Sequence, residues 1–587
     1  MYIGRSIPYI CLAAMALFLF PACGESAAEG DGENASFSQA GKADTMYGDC
    51  MVGQVLAYAN DPYVTAETMK SDGINSRAAN NIEEYRAGAD DTLGTDDDLV
   101  VDSMDALDAI SWVGPVTMGQ LVTATAHRCE AQPHVEVIFS PQPYEHSHLV
   151  KVQELISGAE ATLDIAMYSF SDHGIMAELE KAVARGVRVR FIFEKANEDR
   201  KEPEGSKSAK LESLGIDVRY INKIMHHKYM LVDGPRDSID AAYTGTLVTG
   251  SGNWSNSAGT VYDENTAVVT GAGELLLRFQ QEFNHLWRNS RDFLFDYEFP
   301  WELSRVIPDV VIVDDPHVDV VFTSDNFEVK MSNTYGPTFS VQSGRSTASD
   351  KLVELIDSAT ESIHVASGHL RSRPVALALM AKAQANPEMD IRVLLDNQEY
   401  ISSWYNGVQI QSLEQCVLDA GDSESKVQKC HDKGFYYSYP LHEAGVPLRF
   451  KYYCYRWHYK LALQMHHKYM VFDGRLVASG SYNLSDNAEH NTMENIAMYD
   501  AASHPDMVAA FEGNFEKLWT MGEADSLYEK LLMDIESGQN AVPLVFTPMG
   551  LTWSEVSVLK KAIRDNCPYI DDFDFKKNPH KHKVCLP

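Results

Sequence analysis

Helix-type and strand-type hydrophobic patterns alternate along most of this chain. In residues 151–170, Leu and Ile recur on one face of a helix, and a strand of alternating apolar residues follows. The next segment, "AELEKAVARGVRVRFIFE", predicts a helix, a Gly turn and a strand buried on both faces. Helices that alternate with buried strands predict an α/β fold with a largely parallel or mixed sheet.

This pattern occurs twice, which predicts two copies of one domain. Residues 351–370 repeat the helix and strand of 151–170, and residues 511–519 repeat a helix end at 279–287. The second copy also carries an insertion that the first lacks, including "EYISSWYNGVQIQSLEQCVLDAGDSESKVQKC". We therefore predict the following division: a first half at 134–300, a linker at 301–345, a second half at 346–545 and a C-terminal tail at 546–587.

The N-terminus has the features of an export signal. Arg5 precedes an apolar run from Ile7 to Phe20, and small residues lead to Cys23. The run is too short to span a bilayer, so we predict a signal peptide at 1–22. The sequence "FPAC" resembles a lipobox, which would make Cys23 the lipidated first residue of a cell-envelope lipoprotein; plain secretion is the alternative. Residues 23–46 are small and polar, as expected of a flexible tether.

Residues 47–130 predict a small all-α domain. Two stretches show the pattern of helix, tight turn and helix, with Gly73 and Gly114 at the turns. They resemble a paired helix-hairpin-helix domain, a module that presents backbone N–H groups to DNA phosphates. The segment has 15 Asp and Glu against 4 Lys and Arg, a net charge of −11. That charge argues against DNA, so we predict a structural or protein-contacting role.

Charge and cysteine usage limit the partners further. The formal net charge of −35 repels polyanions, so nucleic acid or anionic lipid would need a local basic cluster. No Cys-x-x-Cys pair is present, which disfavours a zinc site. Sequence does not fix disulfide connectivity, but the spacing suggests three pairs in an oxidising compartment and leaves Cys454 over: Cys50 with Cys129, Cys416 with Cys430, and Cys567 with Cys585.

The hexamer Met-His-His-Lys-Tyr-Met occurs at Met225–Met230 and again at Met465–Met470. In a strand, the first His and the Lys share one side and the second His points to the other. Buried His and Lys must be paired or hydrated, so the repeat is costly for a purely structural strand. Each half then adds an Asp, a Gly-Ser-x-Asn turn and a Glu. The candidate site residues are His226, Lys228, Asp233, Ser251, Asn253 and Glu264 in the first half, and His466, Lys468, Asp473, Ser481, Asn483 and Glu494 in the second.

These groups suit the cleavage of a phosphodiester. The Lys, Ser and Asn side chains can bind the non-bridging oxygens. One neutral imidazole can attack phosphorus, while the other, protonated, gives its proton to the leaving alkoxide and later activates water. The Glu carboxylates would hold the imidazole rings and their tautomers. The His spacing differs from the i, i+4 pattern of zinc enzymes and the adjacent Lys would repel a cation, so we predict no metal.

The pattern His-x-Lys-x4-Asp followed by Gly-Ser-x-Asn resembles the phospholipase D superfamily, and both copies are complete. The second copy has six residues between Asp473 and Gly480, whereas the first has an expanded loop of sixteen before Gly250. The resemblance implies two pseudo-twofold-related α/β domains, each a mixed sheet flanked by helices, with one active site between them. It also implies a phosphohistidine intermediate, no cofactor and a structural role for the two Asp residues. His226 would be the nucleophile and His466 the acid, although the symmetry leaves the reverse assignment open.

The motif indicates the reaction rather than the substrate. The export signal, the predicted membrane tether and the fusion of both halves favour a phospholipid, hydrolysed or transferred by a monomer. The aromatic and basic segment Tyr436–Lys460 suits a headgroup interface, or else strand and core packing beside the site. The same segment could stack bases, and the first half looks similar to the small nuclease and cardiolipin-hydrolase branch of the family. An exported nuclease is therefore the alternative.

Overall fold

The computed structural model describes residues 46–61, 64–90, 93, 97–130, 133–294, 318–333, 336–453, 462–537 and 547–566. The predicted signal peptide, most of the tether with Cys23, and Cys454 lie outside these ranges, as does the suggested pair Cys567 and Cys585. Within the described residues, none of the helices is both long enough and apolar enough to cross a bilayer.

The N-terminal segment is helical, as its pattern predicts. Its helices surround a small core of buried apolar side chains. They are α1 Asp49–Asn60, α2 Ala66–Ser71, α3 Ser76–Arg86, α4 Met104–Asp108 and α5 Pro115–Glu130. The suggested disulfide between Cys50 and Cys129 is present and joins α1 to α5. Gly73 has φ +91° in the α2–α3 turn, whereas Trp112 (φ +70°) rather than Gly114 takes the left-handed position before α5. The resemblance to a helix-hairpin-helix pair stays a prediction.

The expanded loop of the first half contacts this helical segment. The loop forms a 3₁₀ turn at Ile239–Tyr243. Arg128 at the end of α5 donates from Nε to Asp240 Oδ1 at 2.7 Å, and its guanidinium lies 5.8 Å from the ring centre of Tyr243. The additional loop residues therefore dock the N-terminal helices.

The first half is built on an eight-stranded mixed sheet. The strands of the first half are β1 His134–Ser140, β2 Thr162–Met167, β3 Arg188–Phe193, β4 Asp217–Tyr220, β5 Ile224–Met225, β6 Lys228–Val232, β7 Thr246–Gly250, β8 Glu264–Thr270 and β9 Arg291–Asp292. All but β5 lie in this sheet, and β5 pairs with a short strand of the second half. The sheet order is β1-β8-β7-β6-β2-β3-β4-β9, in which β2, β3 and β4 are parallel and the other neighbours antiparallel. The flanking helices are α6 His148–Gly158, α7 His173–Arg185, α8 Ala196–Asp199, α9 Lys207–Ser213, α10 Asn256–Thr260 and α11 Gly273–Arg288.

The second half repeats this sheet, with the order β10-β21-β18-β17-β13-β15-β16-β22. Its strands are β10 Val318–Phe322, β11 Phe327–Ser332, β12 Gly336–Val341, β13 Ser362–Ser367, β14 Leu370–Arg371, β15 Asp390–Asp396, β16 Leu448–Tyr452, β17 Lys468–Phe472, β18 Leu476–Gly480, β19 Leu484–Ser485, β20 Thr492–Met493, β21 Asn495–Asp500 and β22 Met549–Thr552. Its helices are α12 Thr347–Ser358, α13 Arg373–Ala385, α14 Ser403–Ala420, α15 Glu424–His431, α16 Ser438–Glu443, α17 Asp486–Asn491, α18 Pro505–Trp519, α19 Leu527–Glu536 and α20 Trp553–Asn566. The predicted fold class, two related α/β halves with mixed sheets, is confirmed.

The second half is longer than the predicted 346–545. Strand β10 lies in the predicted linker, 301–345, and β22 lies in the predicted tail, 546–587, yet both are edge strands of the second sheet. The second half therefore begins before residue 346, with β10, and ends after residue 545, beyond β22. A signal for β10 was present, because "VDVVF" at 318–322 repeats "VEVIF" at 135–139 in β1.

The two halves share one hydrophobic core, to which each contributes a long helix. Phe279 of α11 packs against Phe322 of β10 with ring centres 5.2 Å apart. In the reciprocal contact, Phe511 of α18 lies 5.1 Å from Phe139 of β1. Each half thus places one long helix, α11 or α18, on an edge strand of the other, and this fixes the two hexamers relative to each other.

Candidate active site

The two hexamers lead into central strands and are clamped to the opposite half. β6 and β17 begin at the two lysines and lie in the middle of their sheets. Just before them, the backbone N–H of His226 donates to the carbonyl of Met493 at 3.1 Å, and that of His466 donates to the carbonyl of Asp263 at 3.0 Å. Each of these acceptors directly precedes a candidate Glu. The backbone pairing therefore carries the Glu of one half to the His of the other.

The carboxylates are exchanged between the halves. His226 Nδ1 lies 2.8 Å from the carboxylate of Glu494, and His466 Nδ1 lies 2.7 Å from that of Glu264. Both Glu side chains are fully buried. Because Nδ1 is taken, Nε2 is the ring nitrogen that faces a substrate, and within the described ranges it has no hydrogen-bond partner in either His. One composite centre results, with each half incomplete without the other.

The motif lysines lie on the same side as these histidines, as strand alternation predicts. Lys228 Nζ lies 3.2 Å from His226 Nδ1, and Lys468 Nζ lies 3.2 Å from His466 Nδ1. Lys468 also donates to the backbone carbonyl of His466 at 2.7 Å. Both amino groups are buried and lie beside the two imidazoles.

Burial and mutual repulsion bring the ionisable groups of this centre toward neutrality. Burial, followed by the charges of the two lysines, holds the pKa of both His226 and His466 well below the usual value. Burial lowers the pKa of Lys228 to about 7 and that of Lys468 to about 8. It also raises the pKa of Glu264 and Glu494 to about 7. An anionic group between the lysines would favour their charged forms, so the centre is built to receive one.

The turn serines hold the carboxylates rather than face a phosphate. Ser251 and Ser481 are fully buried, and each hydroxyl accepts the backbone N–H of the residue after the Glu, at 2.9 and 3.1 Å. Each hydroxyl also lies beside the neighbouring Glu, where it works against burial and lowers the pKa of that carboxyl. Their predicted role as phosphate ligands is therefore corrected, because neither has any surface open to a substrate.

The turn asparagines remain candidates for phosphate binding. Asn253 and Asn483 are half-buried, and the Oδ1 atom of each is enclosed without a hydrogen-bond partner in the part of the chain that the structure describes. Among the described residues, the amide nitrogen of neither Asn253 nor Asn483 has a hydrogen-bond partner. The NH₂ group of each amide can therefore donate to a substrate oxygen.

The second His of each hexamer points into the structure behind the centre. His227 receives a hydrogen bond on Nδ1 from the Asn495 amide at 2.9 Å and faces Glu282 with Nε2 at 3.1 Å. His467 is bonded in the same way to Asn265 at 3.1 Å. The two bonds from Asn495 and Asn265 again cross between the halves. Sequence reasoning missed the two asparagines, although a Glu-Asn pair recurs in both copies and signalled them.

The motif aspartates lie at the far end of the hexamer strands. Asp233 accepts the backbone N–H groups of Ala161 and Thr162 at 2.7 and 2.8 Å, and Asp473 accepts those of Glu361 and Ser362 at 2.7 and 2.9 Å. Both Asp residues have positive φ, 46° and 53°, in a turn that these bonds stabilise. The structure does not bring them to the composite centre, and their contacts fit the structural role that the resemblance implies rather than a catalytic one.

The surroundings of the two histidines differ. Tyr168 packs edge-on against His226 with ring centres 4.5 Å apart, whereas the equivalent position in the second half is Gly368. A side chain there would collide with the carbonyl of Met465, since a Cβ would lie 2.7 Å from it. A cavity of about 540 Å³ opens beside Tyr168 and is lined by Glu194, Lys195, Asn197, Glu198 and Lys201, among others. The space for a substrate group is thus unequal on the two sides.

The described part of the segment Tyr436–Lys460 packs beside the centre and offers little surface. Arg449 donates to the backbone carbonyl of Trp519 and to the Glu523 carboxylate. Lys451 is buried in an ion pair with Asp263 at 2.7 Å. Of the two interpretations offered for this segment, strand and core packing is therefore the one that fits residues 436–453.

Among the described residues, no cluster of three or more His, Cys, Asp and Glu side chains is arranged to hold a metal ion.

Comparison with known proteins agrees with this geometry. A family model, described as "Cardiolipin synthase, PLD-like domain", matches residues 152–287 and 352–519. The mitochondrial cardiolipin hydrolase of Chlamydomonas reinhardtii is 32% identical over 152 residues, which cover 25% of this chain and 62% of that protein. The mitochondrial cardiolipin hydrolase of Xenopus tropicalis is 30% identical over 162 residues, 27% of this chain and 70% of that protein.

Among solved structures, a phospholipase D family member, Nuc from Salmonella typhimurium, is 27% identical, with a TM-score of 0.23. The match covers 27% of this chain and 98% of that one. The family model matches both halves and the two complete motifs meet in one centre. The chain therefore belongs to the phospholipase D superfamily.

Proposed function

We propose that the protein cleaves the phosphodiester of a phospholipid through a phosphohistidine intermediate, without a metal, by hydrolysis or by transfer to another alcohol. The observation that carries this proposal is the composite centre, in which two imidazoles are each bound to a buried carboxylate of the opposite half beside two lysines. The relatives named cardiolipin hydrolases and the family model support a phospholipid as the substrate class.

In the first step, Nε2 of His226 attacks phosphorus and forms the N–P bond. The P–O bond to the leaving alcohol breaks, and His466, whose protonated form is favoured by the bound phosphate anion and by Glu264, gives its Nε2 proton to the departing oxygen. Lys228 and Lys468 neutralise the non-bridging oxygens, and the two turn amides donate hydrogen bonds to them. Glu494 stabilises the positive charge that develops on His226, because its carboxylate bonds Nδ1 at 2.8 Å.

In the second step, water replaces the leaving alcohol. Neutral His466 removes a proton from that water, its oxygen attacks phosphorus, and the N–P bond to His226 breaks. The products are the free phosphomonoester and the restored imidazole, while His466 is again protonated. An alcohol in place of water would give transfer instead of hydrolysis. The reverse assignment of the two histidines uses the same atoms with the roles exchanged.

We further propose that the protein is exported, that Cys23 anchors it to a membrane, and that it acts as a monomer. The apolar N-terminal run and the lipobox-like "FPAC" support export and anchoring, and the presence of both motifs in one chain supports activity without a partner. The negative N-terminal helical segment supports a contact role for that segment and disfavours DNA.

The test is to incubate purified protein, in EDTA, with vesicles containing cardiolipin and separately with single-stranded and duplex DNA. We expect a phosphatidyl product from the lipid, detected by mass spectrometry, and acid-labile labelling of the protein by ³²P-lipid. His226→Ala combined with His466→Ala should abolish both. Cleavage of DNA without cleavage of lipid would establish the nuclease alternative, and activity in the double variant would refute the mechanism.

A further inference from the structure

The insertion of the second half forms a helix that carries an exposed apolar surface. None of the side chains of α14 is buried. Trp404 and Leu418 are 75% and 74% exposed, and Tyr405, Val408 and Ile410 are also exposed. Large apolar side chains are rarely exposed together on one helix of a soluble protein, and such patches mark interaction sites.

The sequence of α14 is unusual for this chain in its charge. Residues 400–413 contain no Asp, Glu, Lys or Arg, although 23% of the whole chain is charged. The following helix, α15, is tied to α14 by the Cys416–Cys430 disulfide and carries Lys426 and Lys429 beside Glu424. The insertion therefore joins a helix that is uncharged up to residue 413, before Glu414 and Asp419, to a helix with two lysines.

A cationic cleft lies along α15. It has a volume of about 1120 Å³, and its lining includes Lys223, Arg345, Arg373, Lys429 and Lys433. The lining also contains three carboxylates, of which Asp432 is bound by His490 at 3.2 Å. In a chain of net charge −35, this is a local positive surface that fits anionic groups.

The insertion is held at the edge of the composite centre by a chain of contacts. Gln409 of α14 bonds the backbone carbonyl and N–H of Tyr436 at 2.8 and 3.0 Å, and Arg371 stacks on the Tyr436 ring at 4.3 Å. Arg371 is paired with Glu399 at 2.6 Å, and Glu399 also bonds His369 Nδ1 at 2.9 Å. Burial, the two motif lysines and His369 together lower the pKa of His466. A membrane or partner surface that binds α14 would therefore lie close to the second hexamer.

We infer that the α14–α15 insertion docks the protein on an anionic phospholipid surface, with α14 in the interface and the cationic cleft on the lipid phosphates. Exposed Trp, Tyr, Val, Ile and Leu side chains on this 18-residue helix suit the boundary between headgroups and acyl chains. The basic cleft supplies the attraction to anionic lipid that the whole chain lacks. The inference rests on the proposed function, since it explains how a lipid substrate reaches the centre.

The test is vesicle sedimentation with no turnover measured. Phosphatidylcholine vesicles with and without 30% phosphatidylglycerol would be compared for the Cys23→Ser protein, which has no lipid anchor and serves as the wild type here, and in the same background for Trp404→Asp combined with Leu418→Asp and for Met533→Asp. Met533 is an exposed apolar residue on α19, at 67%, and serves as the matched control. We expect binding to the anionic vesicles, at least a tenfold loss in the double variant, and wild-type binding in Met533→Asp.

A second measurement keeps the inference testable if the double variant misfolds. Vesicles with brominated acyl chains should quench the fluorescence of wild type, and Trp404→Phe should remove most of that quenching. Hydrolysis of soluble bis(p-nitrophenyl) phosphate is followed in parallel and should be unchanged by Trp404→Phe, because this side chain lies outside the composite centre.

Three results would overturn the inference. If all variants bind the vesicles equally, or if none binds, this face is not a lipid surface. If the wild type is a dimer that the double variant dissociates, the face binds a second copy of the chain, and if the protein binds single-stranded DNA in a way that depends on Trp404, it binds nucleic acid. Failed docking with intact cleavage of the soluble diester refutes only this inference. Intact docking without lipid cleavage refutes only the proposed function.

Discussion

The exchange of carboxylates between the halves predicts which Glu serves which His. Replacing Glu494 by Gln keeps the shape of the side chain but removes the charge that faces His226 at 2.8 Å. Replacing Glu264 by Gln does the same for His466 at 2.7 Å. Each variant should therefore resemble a defect of the His in the other half of the chain.

The magnitude follows from the bond that is lost. A hydrogen bond to a charged group contributes about 1.5–3 kcal/mol, and about 1.4 kcal/mol corresponds to a tenfold change in rate. Each Gln variant should therefore lower kcat about 10- to 150-fold. The free energy of unfolding should change little, because a buried carboxylate becomes an uncharged amide of equal size.

The assay compares two soluble diesters that differ only in the leaving group, p-nitrophenol or a simple alcohol. A variant that impairs the general acid loses far more activity on the alcohol, because p-nitrophenolate departs without a proton. A variant that impairs the nucleophile loses both equally. Glu264→Gln should show the leaving-group dependence of His466→Ala, and Glu494→Gln that of His226→Ala. The reverse correspondence would refute the cross-half pairing, whichever His is the nucleophile.

Three further predictions concern stability, pH and the insertion. Asp473→Ala should lower the free energy of unfolding in urea by about 2 kcal/mol, because backbone N–H groups lose their acceptor, while kcat of the folded protein changes little. kcat/KM should fall as pH rises through about 7 to 8, because the motif lysines, with pKa values of about 7 and 8, lose the charge that binds phosphate. Replacing Cys416 and Cys430 by Ser should speed proteolysis within 403–431 and leave the rest of the second half resistant, since the disulfide closes only this insertion.

Each of these predictions has a contradicting result. A large loss of kcat in folded Asp473→Ala would return this residue to the chemistry. A kcat/KM that stays constant up to pH 9 would mean that the lysines keep their charge without a substrate. Equal proteolysis with and without the disulfide would show that the insertion is held by its packing, for which the Gln409 contacts to Tyr436 are the first candidates.

The fold and the main site residues could be predicted because their sequence patterns occur twice in the chain. Hydrophobic periodicity located the repeated helix and strand, and the duplicated hexamer marked the composite centre. Alternation along a strand also separates His226 from His227 correctly, since this depends only on backbone geometry. Repetition compensates here for the weakness of each single pattern.

What sequence could not supply was the pairing between distant residues. Glu494 reaches His226 only because β20 pairs with β5, a contact across 268 residues that no local pattern encodes. The serines were misassigned for the same reason: their turn places them behind the Glu side chains, and burial is a property of the assembled halves. The aromatic and basic segment at 436–453 was ambiguous because Lys451 finds its partner, Asp263, in the other half.

The crossed carboxylates have a consequence during synthesis of the chain. When the first half has left the ribosome, it contains His226 and Lys228 but not Glu494, and the His that Glu264 serves does not yet exist. A chain that ends before residue 466 therefore holds half of the composite centre and neither of its His–Glu pairs. The centre is complete only after residues near 494 have been made and have folded against the first half.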